Sequence, residues 1–196
     1  NRRIWLGQAD GLPQDSGQAL GTAGSEAVAL GDLDGDGDLD AFVANNGLYL
    51  FDGPSVAASN EVWLNDGTAV FQDSGQQVGN LRSYAVALGD VDNDGDLDAA
   101  VGNLGPDEIW LNNGTGQFTD SGQWLGNSRW TDGIFLADLD DDHDLDLVTD
   151  HDPRQDFPFL PWRRVGFVWQ NVGNGRFSKN PQIFYYSLNG KLSVAD

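Results

Sequence analysis

The nine-residue stretch DLDGDGDLD at residues 32–40 places an aspartate at every second position. The pattern returns as DVDNDGDLD at 90–98 and as DLDDDHDLD at 138–146. These stretches hold fifteen regularly spaced aspartates out of 31 acidic residues, in a chain of 196 residues with a formal net charge of −21. Carboxylates at this density repel one another unless a cation neutralises them. The clustering therefore favours specific ion sites over acidity that only serves solubility.

The overall composition narrows the functional class. A chain this acidic should avoid nucleic acid and anionic membranes, because phosphate binding needs basic patches. No apolar run reaches the ~20 residues of a membrane-spanning helix, so we expect no membrane insertion. The sequence has no cysteine, which excludes disulfides and thiolate metal sites. Its 26 glycines favour short strands and turns over long helices.

The remainder of the chain repeats in phase with the acidic stretches. VWLNDGTAVFQDSGQQVG at 62–79 returns as IWLNNGTGQFTDSGQWLG at 109–126, and weaker copies lie at 4–21 and 168–180. The acidic stretches begin 58 and 48 residues apart, so a core period near 48 carries insertions in two units. Each unit reads as an apolar strand, an acidic loop, a second apolar strand and a hairpin with Asn and Gly at its turn. Units of four antiparallel strands at this period are typical of β-propeller blades.

The predicted fold is all-β, with residues 1–196 forming a single β-propeller domain of four-stranded antiparallel blades. We expect full blades at 24–81, 82–128 and 129–180. Residues 1–21 are expected to be the outer strands of a split blade, and 181–196 its inner strand or strands. Two arrangements stay open: the ends pair into a fourth blade that closes a four-bladed ring, or the chain is part of a larger propeller. Closure would remove exposed strand edges.

Calcium suits the acidic stretches because it takes six to eight oxygen ligands in a flexible shell, whereas magnesium resists dehydration. The first three alternate aspartates of a stretch can converge as the loop curls, the fourth can offer its backbone carbonyl, and the fifth can close the site. The stretches are not EF-hands, because valine or threonine stands where that loop needs glutamate. The expected ligands of three Ca²⁺ ions are Asp32, Asp34, Asp36, Asp38 and Asp40; Asp90, Asp92, Asp94, Asp96 and Asp98; and Asp138, Asp140, Asp142, Asp144 and Asp146.

The third stretch differs from the others at one position. His143 replaces Gly37 and Gly95, where a left-handed backbone is expected. A residue other than glycine in that conformation costs on the order of ~1 kcal/mol. We therefore expect the third site to bind calcium more weakly.

The segments GDLDGDGDLDAFVA, GDVDNDGDLDAAVG and ADLDDDHDLDLVT resemble FG-GAP and VCBS repeats, including those of integrin α-subunit propellers. The resemblance implies a calcium-binding β-propeller, usually extracellular and usually a recognition or adhesion module. Propellers of that family commonly have seven blades, whereas this sequence shows three complete units and terminal pieces.

A binding surface is expected on the face opposite the acidic loops, because the two insertions and the connections between units project there. Aromatic and arginine side chains are common anchors of interfaces. The alternative is that these side chains pack the insertions onto the blades and pair with carboxylates. The candidate ligand-binding residues are Tyr49, Phe51, Arg82, Tyr84, Arg129, Trp130, Phe159, Trp162, Arg163 and Arg164.

No group of residues stands out as catalytic, so we expect a protein that is not an enzyme. The sequence predicts a secreted or cell-surface module, stabilised by calcium, that binds a protein partner or associates with itself. The alternative function is a lectin-like propeller that binds a glycan on the same face.

Overall fold

A computed structural model describes residues 2–8, 11–47, 56–151 and 163–187, with side chains except those of residues 2, 127–129, 163–164 and 181–187. These residues form β-strands and no helix, and so contain no helix that could cross a membrane. The strands are β1 (Arg2–Gly7), β2 (Pro13–Leu20), β3 (Ser25–Gly31), β4 (Asp40–Asn45), β5 (Glu61–Asn65), β6 (Phe71–Asp73), β7 (Arg82–Gly89), β8 (Asp98–Asn112), β9 (Phe118–Ala137), β10 (Asp146–His151), β11 (Arg163–Asn171) and β12 (Phe177–Ser187).

The strands form three antiparallel sheets. β1 pairs with β2, β3 to β6 pair in chain order, and β7 to β12 form a six-stranded sheet, also in chain order. Most strands have fewer than ten residues, and in β4 every residue is buried, including the apolar run from Ala41 to Ala44. Pairing of sequence neighbours through short turns is what the alternation of apolar runs with Asn, Asp and Gly predicts.

The long strand β8 is a hairpin folded back on itself. Fifteen residues of straight strand would separate Asp98 from Asn112 by roughly 46 Å. The Asn112 N–H nevertheless donates to Asp98 Oδ1 at 2.8 Å. One half of β8 pairs with β7 and the other with β9. The second acidic loop, 90–98, therefore enters a four-stranded arrangement like that of β3 to β6.

The long strand β9 passes from one repeat to the next. Its residues 118–130 pair with β8 and its residues 131–137 pair with β10. We call β3–β6 the first unit, β7 to the first half of β9 the second unit, and the second half of β9 to β12 the third unit. The strands β1 and β2 are called the terminal pair. Each unit places its acidic loop between its first two strands.

Two apolar clusters hold the units together. One joins the first and second units through buried residues Leu33, Phe42, Val62, Val78, Ala99 and Val101. The other joins the second and third units through Ala85, Val91, Ala100, Ile109, Leu125, Ile134, Leu147 and Trp169. Burial of apolar area on this scale dominates the stability of a small β domain. The acidic loops lie at one edge of these cores, because each leads directly into a strand that contributes to them.

The prediction of an all-β chain with antiparallel sheets is confirmed for the described residues. Their strand pairing does not join the third unit to the terminal pair, so it contains no closed ring. The third sheet also runs further than expected: β12 pairs with β11 up to Ser187, beyond the boundary expected at residue 180. Residues 188–196, expected in the split blade, lie outside the described residues.

Candidate metal centre

The first three alternate aspartates of each acidic loop come together. In each of the three groups, one carboxylate oxygen per residue lies within 4.8 Å of the others, and the groups are Asp32, Asp34 and Asp36; Asp90, Asp92 and Asp94; and Asp138, Asp140 and Asp142. Calcium–oxygen distances of 2.3–2.6 Å put ligands on opposite sides of one ion roughly 5 Å apart. The oxygens are therefore spaced so that a single calcium ion could contact all three.

Hydrogen bonds from backbone N–H groups to the carboxylate of the first aspartate curl each loop around that residue. The Gly35 N–H donates to Asp32 Oδ1 at 2.8 Å, and the Gly37 N–H donates to Asp32 Oδ2 at 3.0 Å. The third loop repeats the second contact, with the His143 N–H donating to Asp138 Oδ2 at 3.0 Å. These contacts fix the first carboxylate before any ion binds, and so reduce the ordering that binding requires.

Two positions in each loop have a left-handed backbone. The sixth position was expected to do so and does, with φ of +92° at Gly37, +97° at Gly95 and +72° at His143. The fourth position does so as well, and sequence reasoning missed it. There Asn93 has φ +63° and Asp141 has φ +62°. Asn and Asp tolerate this conformation better than most residues, which was the available signal.

The fifth aspartate of each loop is buried and accepts hydrogen bonds from two backbone N–H groups. Asp40 is fully buried, and its carboxylate accepts from the Leu33 N–H at 2.8 Å and from the Asn65 N–H at 2.7 Å. Asp98 and Asp146 make the same pair of contacts in the other two units. Each therefore ties the start of its loop to the third strand of its unit. Coordination of an ion by these residues stays a prediction.

The fourth aspartate lies against the hairpin that follows. Gly67 and Gly114 have φ of +75° and +73°, and a Cβ on either would lie within 2.6 Å of the carboxylate of Asp38 or Asp96. Glycine is needed there for both the backbone conformation and the close approach. This places the side chain of the fourth aspartate on the hairpin, which leaves its backbone carbonyl as the predicted ligand.

Burial and nearby carboxylates raise the pKa of aspartates in the acidic loops. Burial, with the nearby carboxylates of Asp40 and Asp36, raises the pKa of Asp34. Burial and the neighbouring Asp94 raise the pKa of Asp92 in the same way. Burial also raises the pKa of Asp98 to about 6. A divalent cation would relieve this repulsion, because opposite charge favours the ionised carboxylates. The residues thus fit a hard, oxygen-seeking metal such as calcium.

Each of the first two acidic loops accepts a hydrogen bond from an asparagine side chain of the next unit. Asn112 Nδ2 donates to the Leu33 carbonyl at 2.9 Å, and Asn171 Nδ2 donates to the Val91 carbonyl at 2.7 Å. These asparagines are the last residues of the WLN and WQN segments. The sequence showed their repetition, but gave no sign that they cross between units. Neighbouring acidic loops are therefore connected through these hydrogen bonds.

The structure describes only part of the expected ligand-binding face. The side chains of Tyr84 and Trp130 meet edge to face, with ring centroids 5.3 Å apart. Arg82 Nε donates to the Asn46 carbonyl at 3.0 Å. These three residues lie at the ends of strands remote from the acidic loops. The side chains of Arg129, Arg163 and Arg164, and the whole of Tyr49, Phe51, Phe159 and Trp162, lie outside what the structure describes.

Comparison with known families supports the interpretation of the loops. Residues 90–149 match the family model described as FG-GAP-like repeat. The match begins at the second acidic loop and ends in β10, just after the third, so it contains two of the three carboxylate groups. The resemblance to FG-GAP repeats is therefore confirmed for this part of the chain. We found no curated protein with a matching sequence.

Proposed function

We propose that this chain, with an FG-GAP-like repeat at residues 90–149 and the same loop once more at 32–40, is a calcium-stabilised β-propeller module for binding or adhesion outside the cell. The supporting observation is the threefold recurrence of the carboxylate group, each with oxygens within 4.8 Å. A single acidic turn is common without a metal. All three acidic loops share the hydrogen bond from the sixth N–H to the first carboxylate and the same two left-handed positions, which indicates a shared requirement.

In this proposal the ions have a structural role. Each loop leads into a strand that supplies core residues, so fixing the loop fixes the edge of a core. Asp32, Asp34 and Asp36 would hold the first ion, and their equivalents the other two, while Asp40, Asp98 and Asp146 brace the loops through backbone N–H groups. Extracellular modules commonly bind calcium with Kd of about 10⁻⁴–10⁻³ M, so millimolar calcium would keep such sites filled.

Calcium stoichiometry tests the ion sites. Isothermal titration of the whole chain should show three calcium ions bound, and Asp92→Asn should reduce the number to two, since it removes one of three clustered carboxylates. Asp73→Asn makes the same charge change at the exposed end of β6, outside the loops, and should leave three. An unchanged stoichiometry in Asp92→Asn would show that the second group does not hold an ion.

The blades are proposed to form a propeller with the face remote from the loops as its binding surface, for a protein partner or for self-association. The support for this surface is that the acidic loops lie on one face, whereas the aromatic and arginine side chains lie on the other. Light scattering in calcium should show concentration-dependent assembly if the module associates with itself. A glycan array compared with Trp130→Ala tests the lectin-like alternative, which predicts glycan binding that the variant loses.

A further inference from the structure

One asparagine side chain joins the first acidic loop to the second. Asn112 is buried, and its Nδ2 donates to the Leu33 carbonyl at 2.9 Å and to the Leu97 carbonyl at 3.2 Å. Leu33 is the second residue of the first loop, and Leu97 is the eighth residue of the second loop. The Leu33 carbonyl also accepts from the Gly116 N–H of the second unit at 2.7 Å. Each of the two carbonyls therefore lies next to an aspartate that is predicted to hold an ion.

The same connection recurs between the second loop and the third. Asn171 is buried, and its Nδ2 donates to the Val91 carbonyl at 2.7 Å and to the Leu145 carbonyl at 3.2 Å. Val91 and Leu145 are again the second residue of one loop and the eighth residue of the next. In addition, Asn93 Nδ2 of the second loop donates to Asp144 Oδ1 of the third. The second loop is therefore linked to both of its neighbours.

Each shared asparagine is also held by the acidic loop of its own unit. The Asn112 N–H donates to Asp98 Oδ1 at 2.8 Å, and the Asn171 N–H donates to Asp146 Oδ1 at 2.8 Å. Asp98 and Asp146 are the last residues of the second and third loops. The position of each asparagine thus depends on the loop of its own unit, whereas its side-chain amide contacts the loop of the preceding unit.

We propose that Asn112 and Asn171 couple the three acidic loops, so that an ion bound in one loop raises the affinity of the adjacent loop for calcium. An ion that draws the carboxylates of one loop together also fixes the backbone carbonyl that the shared amide contacts there. The amide is then already in place for the adjacent loop, so less ordering remains when the next ion binds. The inference rests on the proposed function, because it concerns the same three ions.

Charge by itself predicts the opposite sign of coupling. A divalent cation in one loop repels a second cation in the next, so loss of one ion should strengthen binding at its neighbours if only charge acts. At an ionic strength of about 0.15 M the Debye length is about 8 Å, which weakens this repulsion. The sign of the change therefore separates coupling through the asparagines from an electrostatic effect.

Calcium titration of the whole chain, followed by NMR, tests the coupling at each loop separately. The backbone N–H groups of Gly37, Gly95 and His143 are the reporters, because each donates to the first aspartate of its own loop. Asp92→Asn removes a predicted ligand of the second loop and should weaken calcium binding at the first and third loops at least about fivefold. Asp34→Asn should weaken binding at the second loop in the same way. It should affect the third loop clearly less, because that loop is not adjacent.

The role of the shared amide is tested by combining Asn112→Ala with Asp92→Asn. In the Asn112→Ala background, Asp92→Asn should change the affinity of the first loop by less than about twofold, because the connection is already lost. The third loop is still linked through Asn171 and should weaken as before. Asn65→Ala is the matched control, since Asn65 has the same position in the first unit but contacts no loop carbonyl of a preceding unit among the described residues. It should leave the effect of Asp92→Asn unchanged.

Two results would overturn the coupling while leaving the ion sites intact. Calcium binding at the first and third loops that is equal or tighter in Asp92→Asn would show that the ions bind independently or interact only through charge. This comparison requires no change at Asn112. An effect of Asp92→Asn on the first loop that persists in full in Asn112→Ala would show that the asparagine does not carry the coupling. A wild-type chain that binds no calcium would instead reject the ion sites of the proposed function, and the coupling with them.

Discussion

At the scale of single residues, His143 shows how one loop departs from a shared geometry without losing it. Its backbone has the same left-handed conformation as Gly37 and Gly95, with φ of +72°. Its side chain is almost fully exposed, with Nδ1 3.8 Å from Asp138 Oδ2. The conformation is forced by the loop, whose first carboxylate accepts from the His143 N–H. The residue therefore keeps the site at a cost in backbone strain.

Replacing His143 by glycine should remove that strain. We expect His143→Gly to raise the free energy of unfolding in calcium by up to about 1 kcal/mol, because the left-handed cost falls while the unfolded chain gains some freedom. Chemical denaturation at pH 8 measures the change. The reciprocal variant Gly95→His enters open space, since no atom lies within 4 Å of an added Cβ, and should lose about the same amount. Equal stabilities for all three proteins would contradict the strain argument.

Asp107 is a buried carboxylate outside the acidic loops. Burial raises the pKa of Asp107 to about 7, from its ordinary value of 3.8. Its Oδ1 accepts from the Asn103 N–H at 3.0 Å. The first unit has Asn60 at this position, where its Oδ1 accepts from the Asn45 N–H at 2.9 Å. An amide can therefore fill the same role without a charge.

Asp107→Asn should flatten part of the pH dependence of stability. With the folded pKa raised, the native protein binds more protons than the unfolded chain between about pH 4 and pH 7, so the contribution of Asp107 falls as pH rises through that range. The variant should be more stable than wild type at pH 8 by up to about 4 kcal/mol, and little changed at pH 4. Denaturation in saturating calcium measures both. A stability difference between the two proteins that does not vary with pH would contradict the prediction.

Much at this scale could be predicted from sequence. The convergence of the first three aspartates and the left-handed sixth position follow from alternation and from Gly37 and Gly95. The left-handed fourth position could not be separated from ordinary Asn or Asp in a turn. The bracing contacts of Asp40 were also hidden, because a carboxylate that accepts from backbone N–H groups has the same sequence signature as one that holds an ion.

At the scale of elements, the contacts between units are made by polar side chains that repeat with the strands. Asn112 is buried, and its Nδ2 donates to the carbonyls of Leu33 and Leu97 at 2.9 and 3.2 Å. It therefore joins an acidic loop of the first unit to one of the second. Removal of such a group leaves two backbone carbonyls without their partner in a buried setting.

We expect Asn112→Ala to lower the free energy of unfolding by roughly 1–3 kcal/mol and to weaken calcium binding at the first and second loops. Asn65→Ala is the matched control, because Asn65 has the same sequence position but no carbonyl from a preceding unit among the described residues. It should cost distinctly less. Thermal melts and calcium titration of both variants make the comparison. Similar losses in the two variants would show that the bridge contributes little.

The strands themselves were predictable, but their grouping was less so. Apolar runs bounded by Asn, Asp and Gly gave the strand positions, and the hairpin of 109–118 was expected from IWLNNGTGQF. The continuity of β8 was not expected, and it arises because the second unit lacks the insertion that separates β4 from β5 in the first. The continuity of β9 from the second unit into the third was not expected either. The side chains of Gln18, Gln76 and Gln123 each accept from a backbone N–H of the next unit. This contact was missed, because glutamine in a polar turn is expected to be exposed to solvent.

At the scale of the whole molecule, the structure is an array in which each unit meets the next through the same contacts. The glutamine contacts occur at three junctions, and the two apolar clusters fill two of them. The junction between the terminal pair and the first unit has the glutamine contact, but an apolar groove beside it is open. Local repetition could be read from the sequence. Closure into a ring could not, since it depends on how the ends of the array meet.

The acidic loops follow one another along the array, so their charges add. Asn93 of the second loop donates to Asp144 of the third, and Leu33 of the first accepts from Asn112. Loops linked in this way should gain or lose stability together when ions bind. Ion binding to the folded state alone stabilises it by an amount set by the concentration relative to Kd.

The thermal melt with and without calcium tests the central claim most directly. At a calcium concentration about ten times Kd, each occupied site adds roughly 1.4 kcal/mol to the free energy of unfolding. Three sites together should therefore raise Tm by on the order of 10 °C. EDTA should lower Tm by that amount, excess calcium should restore it, and magnesium should restore it less. A Tm that is the same in EDTA and in millimolar calcium would contradict the account of the three acidic loops as structural ion sites.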